Sequence, residues 1–294
     1  ILKVDIIPRF SMNTSFADIE KKENRKDLII SICVFLSGFS CFAQLYYFQP
    51  LLPDLAKDFI LSASESSFAI SFSTLGMVFG LFTTMFVADR IPRKKMIGTG
   101  LLSSSIFSVA ASFSPTFLPL ILLSAAKGFL LSGATSVSMA YIAEEVSSRN
   151  KGKIMGLYIA GNALGGMAGR VISSWIGALY TWRIASVSIG LICALFAILF
   201  LLFSPRSTNF MPRKESFHTL IIANLQLITS KALIPFYLTG GLILGVFVSL
   251  YNYLGFYLTK APFNFPEHYI HYIYLMYIFG IFGSIATAGL TRYF

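Results

Sequence analysis

Two cationic side chains lie deep inside long apolar runs, where an ionisable group is costly. Arg170 lies roughly 24 Å along the run 154–178, at 1.5 Å per residue, and Lys127 lies roughly 15 Å along the run 117–142. A charge at the bilayer centre costs about 2.5–3.5 kcal/mol on insertion scales, so such a residue is expected to face a cavity and to have a function. The pair predicts a site for an anionic group of a substrate, or for a carboxylate from another helix. For Lys127 the alternative is that its stem extends outward to the membrane surface.

Carboxylates are missing from every long apolar run of the sequence. A carboxylate is the usual intramembrane proton carrier, so the residues themselves do not support proton coupling. Weaker candidates for substrate or coupling contacts stand at the ends of the first and seventh runs: Tyr46, Gln49 and Asn252, beside Tyr47, Tyr251 and Tyr253. They would line the mouth of a cavity or form an aromatic belt at the membrane surface, and the belt is the favoured interpretation.

The short segment Met85–Lys95 holds one acid and four cations between two apolar runs. Nothing that polar is expected within hydrocarbon, so the segment marks a membrane face. Lys and Arg concentrate in short cytoplasmic loops, which predicts that this face is the cytoplasm. Its basic residues would serve a gate or only orient the protein.

Apolar runs of about the 20 residues that span a bilayer recur along the whole chain. The chain has 294 residues, of which 55% are hydrophobic and only 12% are charged, against about 25% in a soluble domain. We therefore predict an all-α polytopic membrane protein with spans at 28–52, 67–88, 96–113, 117–142, 154–178, 184–204, 232–256 and 269–290. The predicted organisation is a tail (1–27), a six-helix bundle (28–204), a linker (205–231) and two further helices (232–294).

The distribution of basic residues predicts the orientation of the chain. With the N-terminus inside, 18 of the 23 Lys and Arg residues fall in cytoplasmic segments, as the positive-inside rule requires. This predicts a multi-pass membrane protein with a cytoplasmic N-terminus and the lipid bilayer as its surroundings. The net charge of +10 is scattered in clusters and forms no single basic face, which argues against nucleic-acid binding.

Small residues predict close helix contacts. Gly161, Gly165 and Gly169 recur every fourth residue and share a helix face, and Gly156 is expected to pack in the same helix. The three cysteines form no CxxC pair, and His268 and His271 have no third ligand nearby in the sequence. We therefore expect no cofactor and no metal site.

The segment 85–95 resembles a signature of the major facilitator superfamily, Gly-x-x-x-Asp-Arg-x-Gly-Arg-[Arg/Lys]. Its polar positions match at Asp89, Arg90, Arg93 and Lys94. Both glycine positions differ, because Met85 and Pro92 stand there.

The run 154–178 resembles the efflux signature of the same superfamily. Gly156, Gly165 and Gly169 fall on its spacing, although Arg170 replaces a proline and Ser173-Ser174 replace paired glycines. The stretch Gly161–Arg170 fits the branch of bacterial inner-membrane proteins of the YnfM type, among the drug and sugar efflux carriers.

This resemblance covers about residues 28–294 and implies a transporter that works by alternating access. It implies export of a small solute, proton coupling, a monomer if the protein is full length, and no enzymatic activity. It also implies that Asp89, Arg90, Arg93 and Lys94 belong to a cytoplasmic gate. A faint repeat at an offset of roughly 205 residues would place the other half of that gate near Arg292.

The resemblance further implies a six-helix N-terminal half followed by the first two helices of a C-terminal half. Since a complete fold of this type needs about four more helices, the alternative is a truncated, non-functional remnant of such a transporter. At the other end, a polar stretch begins at Met12. The sequence therefore leaves open whether the protein starts at Met12 or whether residues 1–11 belong to it.

Overall fold

The computed structural model describes residues 9–212, 217–266 and 270–276, and within them every regular element is a helix. The helices are α1 (Arg9–Tyr46), α2 (Leu52–Asp58), α3 (Ala63–Ser66), α4 (Phe68–Val87), α5 (Arg93–Ser112), α6 (Phe117–Glu145), α7 (Lys151–Leu179), α8 (Trp182–Phe203), α9 (Phe217–Ile228), α10 (Ile234–Thr259) and α11 (Ile270–Leu275). Short 3-10 turns add Gln49–Leu51 and Ala88–Arg90.

The first predicted span is divided in the structure. The helix begins at Arg9, inside the predicted tail, and ends at Tyr46, after which a 3-10 turn and α2 follow. Pro50 and Pro53 stand in the first turns of these two short elements, where a missing backbone N–H costs nothing. The prediction of one helix over 28–52 was therefore wrong at its end, because these prolines start new helical segments.

Helices α4 to α8 and α10 follow the predicted spans to within three residues at each end. Of the predicted span 269–290, the structure describes Ile270–Leu275 as helix, and residues 277–294 lie outside the described part. The predicted linker 205–231 contains α9, whose 12 residues are too few to cross a bilayer.

Five helical stretches are long and apolar enough to cross a membrane, judged by length and composition within the described residues: Glu20–Asp58, Ala63–Arg90, Phe117–Glu145, Trp182–Phe203 and Ile234–Thr259. Helices α5 and α7 are also long enough for a span, with 20 and 29 residues. Both bury a series of Ser or Gly residues against their neighbours, which makes them less apolar than the other five.

Close backbone contacts hold α1 against α7. A Cβ atom on Gly161, Gly165 or Gly169 would collide with the backbone of Phe35, Phe39 or Ala43. Small residues let helices approach in this way where lipid gives no hydrophobic drive to association. The prediction that Gly156 is a packing residue was wrong, because a Cβ atom added to it would meet no atom within 4 Å. It is exposed and lines a surface cavity between α1 and the first part of α7.

Two clusters of buried apolar side chains fill the bundle, one toward each end. The first contains Ile30, Tyr141 and Phe200, and the second contains Leu51 and Trp182. We name the end of the bundle that carries Lys26, Arg93 and Arg149 the basic end, and the end that carries residues 47–62 and 180–183 the opposite end. The predicted orientation would place the basic end in the cytoplasm.

Candidate functional site

Arg170 is fully buried on α7, with 0% of its surface exposed. Its Nη1 donates a hydrogen bond of 2.6 Å to the carbonyl of Gly166, one turn earlier in the same helix. Its Nε donates to Oε1 of Gln49 at 2.5 Å. Gln49 is itself 1% exposed, so its amide holds the guanidinium from the break between α1 and α2. The sequence predicted both residues as candidates but gave no reason to join them.

Aromatic rings from α1 and from α10 cover the guanidinium of Arg170. The Arg170 Cζ atom lies 4.4 Å from the ring centroid of Tyr46, 5.2 Å from that of Tyr251 and 5.6 Å from that of Phe247. Each distance is within the range of a cation–π contact. Tyr274 of α11 is buried and stacks on Tyr251, with 5.6 Å between the ring centroids.

The polar contacts of this site connect the six-helix bundle to α10. Gln49 Nε2 donates a hydrogen bond of 2.7 Å to Asn252 Oδ1. Nearby, a Cβ atom on Gly255 would lie 3.2 Å from Pro53 Cγ, so α10 also approaches α2 closely. We define the Arg170 cluster as Arg170, Tyr46, Gln49, Phe247, Tyr251 and Asn252. It lies at the boundary between the first six long helices and α10.

The aromatic-belt interpretation was wrong for Tyr46 and Tyr47. Tyr46 is 6% exposed and Tyr47 is 0% exposed, so neither ring reaches a lipid-facing surface. The hydroxyl of Tyr47 instead shares a 2.9 Å hydrogen bond with Ser186 inside the bundle. Tyr253 is 56% exposed on α10, where a position facing lipid stays compatible with the structure.

Lys127 is also fully buried, but it does not join the Arg170 cluster. Its Nζ lies 4.5 Å from the ring centroid of Tyr47 and 4.9 Å from that of Phe48. No described atom accepts a hydrogen bond from this Nζ. With 1% exposure the side chain does not extend to the membrane surface. Lys127 and Arg170 share no aromatic partner among the described residues.

Of the four predicted gate residues at the basic end, Asp89 and Arg93 form an ion pair, whereas Arg90 and Lys94 do not join it. Arg93 donates from Nη2 to Asp89 Oδ1 and to Glu144 Oε1, both at 3.0 Å, and from Nη1 to the carbonyl of Ala88 at 2.6 Å. Arg90 is exposed. Lys94 makes different contacts and donates from Nζ to the carbonyl of Ser204 at 2.5 Å.

Glu144 is a partner of Arg93 that was not predicted as a gate residue. It ends α6 together with Glu145, at the same face as the basic segment 85–95. The sequence did contain a signal for this pairing, because two adjacent acids follow the apolar run 117–142 within three residues. Glu145 accepts hydrogen bonds from Lys26 at 2.8 Å, Thr208 at 2.8 Å and the Asn209 N–H at 2.7 Å. The segment after α8 thus folds back onto the end of α6.

Comparison with known proteins agrees with this architecture. The family model described as Major Facilitator Superfamily matches residues 31–294. The inner membrane transport protein YnfM of Escherichia coli (strain K12) is 35% identical over 236 residues, which cover 80% of this chain and 56% of that protein. An uncharacterized transporter of Buchnera aphidicola subsp. Schizaphis graminum (strain Sg) is 35% identical over 245 residues, 83% of this chain and 59% of that protein.

A solved structure shares the fold. It is that of a bacterial homologue of the human lysosomal transporter Spinster, in an inward-facing and unoccupied conformation. The TM-score is 0.73 at 13% sequence identity, over 92% of this chain and 63% of that one. The chain spans less than three fifths of the length of the two curated relatives.

The sequence resemblance and the all-α bundle fold are thereby confirmed, and the chain is that of a multi-pass membrane protein. It belongs to the major facilitator superfamily.

Proposed function

We propose that this chain acts in a secondary transporter that moves a small solute across a bacterial inner membrane by alternating access. In this mechanism two helical bundles rock about a site near the midplane, and the site opens to one side at a time. The first six long helices would form one bundle, and α10 and α11 would belong to the other. The N-terminus would face the cytoplasm, as the distribution of Lys and Arg predicts.

The observation that carries the proposal is the burial of Arg170 at the boundary between these two parts. Its guanidinium contacts Gln49 and Tyr46 from the first part and Tyr251 and Phe247 from α10. A buried intramembrane cation is costly and is usually kept for function. Here the cation lies where relative movement of the two parts would change its surroundings, as a substrate-binding group requires.

The chemistry of the site favours an anionic group on the solute. Arg170 offers a planar fork of donors that matches a carboxylate or phosphate, and Gln49 and Asn252 add amide groups on the same side. We propose export as the direction, because the glycine spacing of α7 resembles that of efflux carriers. Proton coupling would need a proton carrier other than an acid of the predicted spans, since they contain none.

At the basic end we propose that Asp89, Arg93 and Glu144 form part of a cytoplasmic gate. All three lie in the six-helix bundle, in the turn before α5, at its start and near the end of α6. Arg90 and Lys94 would take part less directly, because among the described residues no ion pair joins either of them to this cluster. The predicted partner near Arg292 lies outside the described residues.

A counterflow assay in proteoliposomes tests the proposal, with organic anions, sugars and cationic drugs as candidate solutes. We expect Arg170→Ala to abolish exchange and Arg170→Lys to retain a small part of it, because Lys keeps the charge but not the fork. Arg149→Ala is the matched control, since the side chain of Arg149 is 80% exposed. Normal exchange by a correctly inserted Arg170→Ala variant would remove Arg170 from the site.

A further inference from the structure

A basic groove opens at the basic end, between the start of α5 and the chain that leaves α8. Its volume is about 370 Å³. The lining residues are Pro92, Lys94, Lys95, Leu201, Arg206 and Ser207. Three of these six are cations and none is an acid, so the groove has one sign of charge.

The backbone of the groove is held in place by contacts between its two walls. The Lys94 N–H donates to Ser207 Oγ at 3.0 Å, and Lys94 Nζ donates to the carbonyl of Ser204 at 2.5 Å. These bonds join the first turn of α5 to the segment after α8. The fold therefore brings Arg206 next to Lys94 and Lys95, which are more than a hundred residues away in the sequence.

The acids near this end are already engaged elsewhere. Asp89 and Glu144 pair with Arg93, and Glu145 pairs with Lys26. Within the described part of the chain, Lys95 and Arg206 have no ion pair and both are exposed. Lys94, Lys95 and Arg206 carry like charges in this groove, and an anion there would relieve the repulsion between them.

The position of the groove selects a lipid over a dissolved anion. Leu201 is one of its walls, and the next two residues, Leu202 and Phe203, are 69% and 64% exposed at the end of α8. Apolar side chains this exposed on a membrane-spanning helix face acyl chains. A ligand here would place its charge on Lys95 and Arg206 and its chains along Leu202, which lies next to Leu201 on the exposed side of α8. Clustered basic residues at a membrane surface attract anionic headgroups in the same way.

We propose that this groove binds the phosphate of an anionic phospholipid, such as phosphatidylglycerol, from the adjacent leaflet. The site is separate from the Arg170 cluster and does not depend on the transport proposal. A basic segment that only orients the chain would need the number of its charges, but not their convergence on one groove from α5 and from the segment after α8.

Spin-labelled phosphatidylglycerol in phosphatidylcholine nanodiscs tests the site, with the full chain as the protein. Electron paramagnetic resonance measures the fraction of labelled lipid held at the protein surface. We expect the double variant K95Q/R206Q to bind this lipid more weakly, by about fivefold for each charge removed. The double variant K151Q/K153Q removes two charges from the start of α7, at the same end of the bundle, and is expected to bind as the unmodified protein does.

Two further arms make the outcome decisive. The charge-conserving variant K95R/R206K should retain the lipid and would separate charge from folding. Equal binding by K95Q/R206Q and K151Q/K153Q would overturn the proposal. Displacement of the labelled lipid by inorganic phosphate would also overturn it, because the site would then be one for a free anion.

Discussion

Gln49 and Asn252 are 203 residues apart in the chain, yet Gln49 Nε2 donates a 2.7 Å hydrogen bond to Asn252 Oδ1. The same Gln49 accepts from Arg170 through its other amide atom. One buried side chain thus connects the cation of α7 to α10. Any movement of α10 away from the six-helix bundle must break this bond.

The first prediction concerns the coupling between these two amides. A hydrogen bond between neutral groups contributes about 0.5–1.5 kcal/mol. We expect Gln49→Ala and Asn252→Ala each to lower the thermal unfolding midpoint in detergent, and the double variant to lower it by less than the sum. Strict additivity would contradict a direct bond, since independent sites add.

The second prediction uses two glycines of one helix. Gly165 lies against the backbone of Phe39, which cannot move as a side chain can, whereas Gly156 has open space. Gly165→Leu should therefore abolish or strongly reduce the folded protein, measured as the monodisperse fraction in size-exclusion chromatography. Gly156→Leu is the matched control and should leave this fraction unchanged. A folded Gly165→Leu protein would show that α1 and α7 do not approach this closely.

The third prediction concerns the ion pair between Arg93 and Glu144. Glu144→Gln removes a charged partner from an arginine that is 8% exposed, and hydrogen bonds to charged groups contribute about 1.5–3 kcal/mol. We expect a clear loss of stability in chemical unfolding. The control is Glu20→Gln, because the pair of Glu20 and Arg149 has side chains 63% and 80% exposed and should contribute less than about 1 kcal/mol. Equal losses in both variants would show that burial of Arg93 does not strengthen its pair.

The fourth prediction concerns the effect of the buried Lys127 charge on stability. Its amine is buried and no described atom accepts a hydrogen bond from it, so a methionine of similar length should fit. Replacement of a buried charge by an apolar side chain of similar volume is often neutral or stabilising. We expect Lys127→Met to keep or raise the unfolding midpoint, while Lys127→Leu, which is shorter, serves as the control for volume. A marked loss of stability in Lys127→Met alone would mean that the cation–π contacts with Tyr47 and Phe48 hold the bundle together.

The helices were largely predictable because hydrocarbon imposes simple rules on sequence. Long apolar runs identify the spans, and helices α4 to α8 and α10 begin and end near the predicted residues. The end of the first span was predicted less well, because length alone does not reveal where Pro50 and Pro53 begin new segments. Helix α9 was missed for a related reason, since a short apolar run in a polar linker carries no membrane signal.

The residues of the site were predictable as types but not as partners. Arg170 was a candidate because an ionisable residue inside an apolar run is costly. Tyr46, Gln49 and Asn252 were candidates because they stand at the ends of the first and seventh runs. Sequence alone could not choose between a cavity and an aromatic belt for Tyr46, because both place a tyrosine near the end of a span. The tertiary structure decided this by turning the ring onto Arg170.

By itself, the sequence determined that this is a helical membrane protein, how most of its spans run, and which buried cations require an explanation. The physical reason is local: each span must satisfy its own backbone and match the bilayer on its own. Only the tertiary structure decided that Arg170 contacts α10, whereas Lys127 contacts Tyr47 inside the six-helix bundle. It also decided that Arg93 forms an ion pair with Glu144. Those choices depend on which helix faces meet, and helix contacts between residues more than fifty positions apart leave no mark in either segment alone.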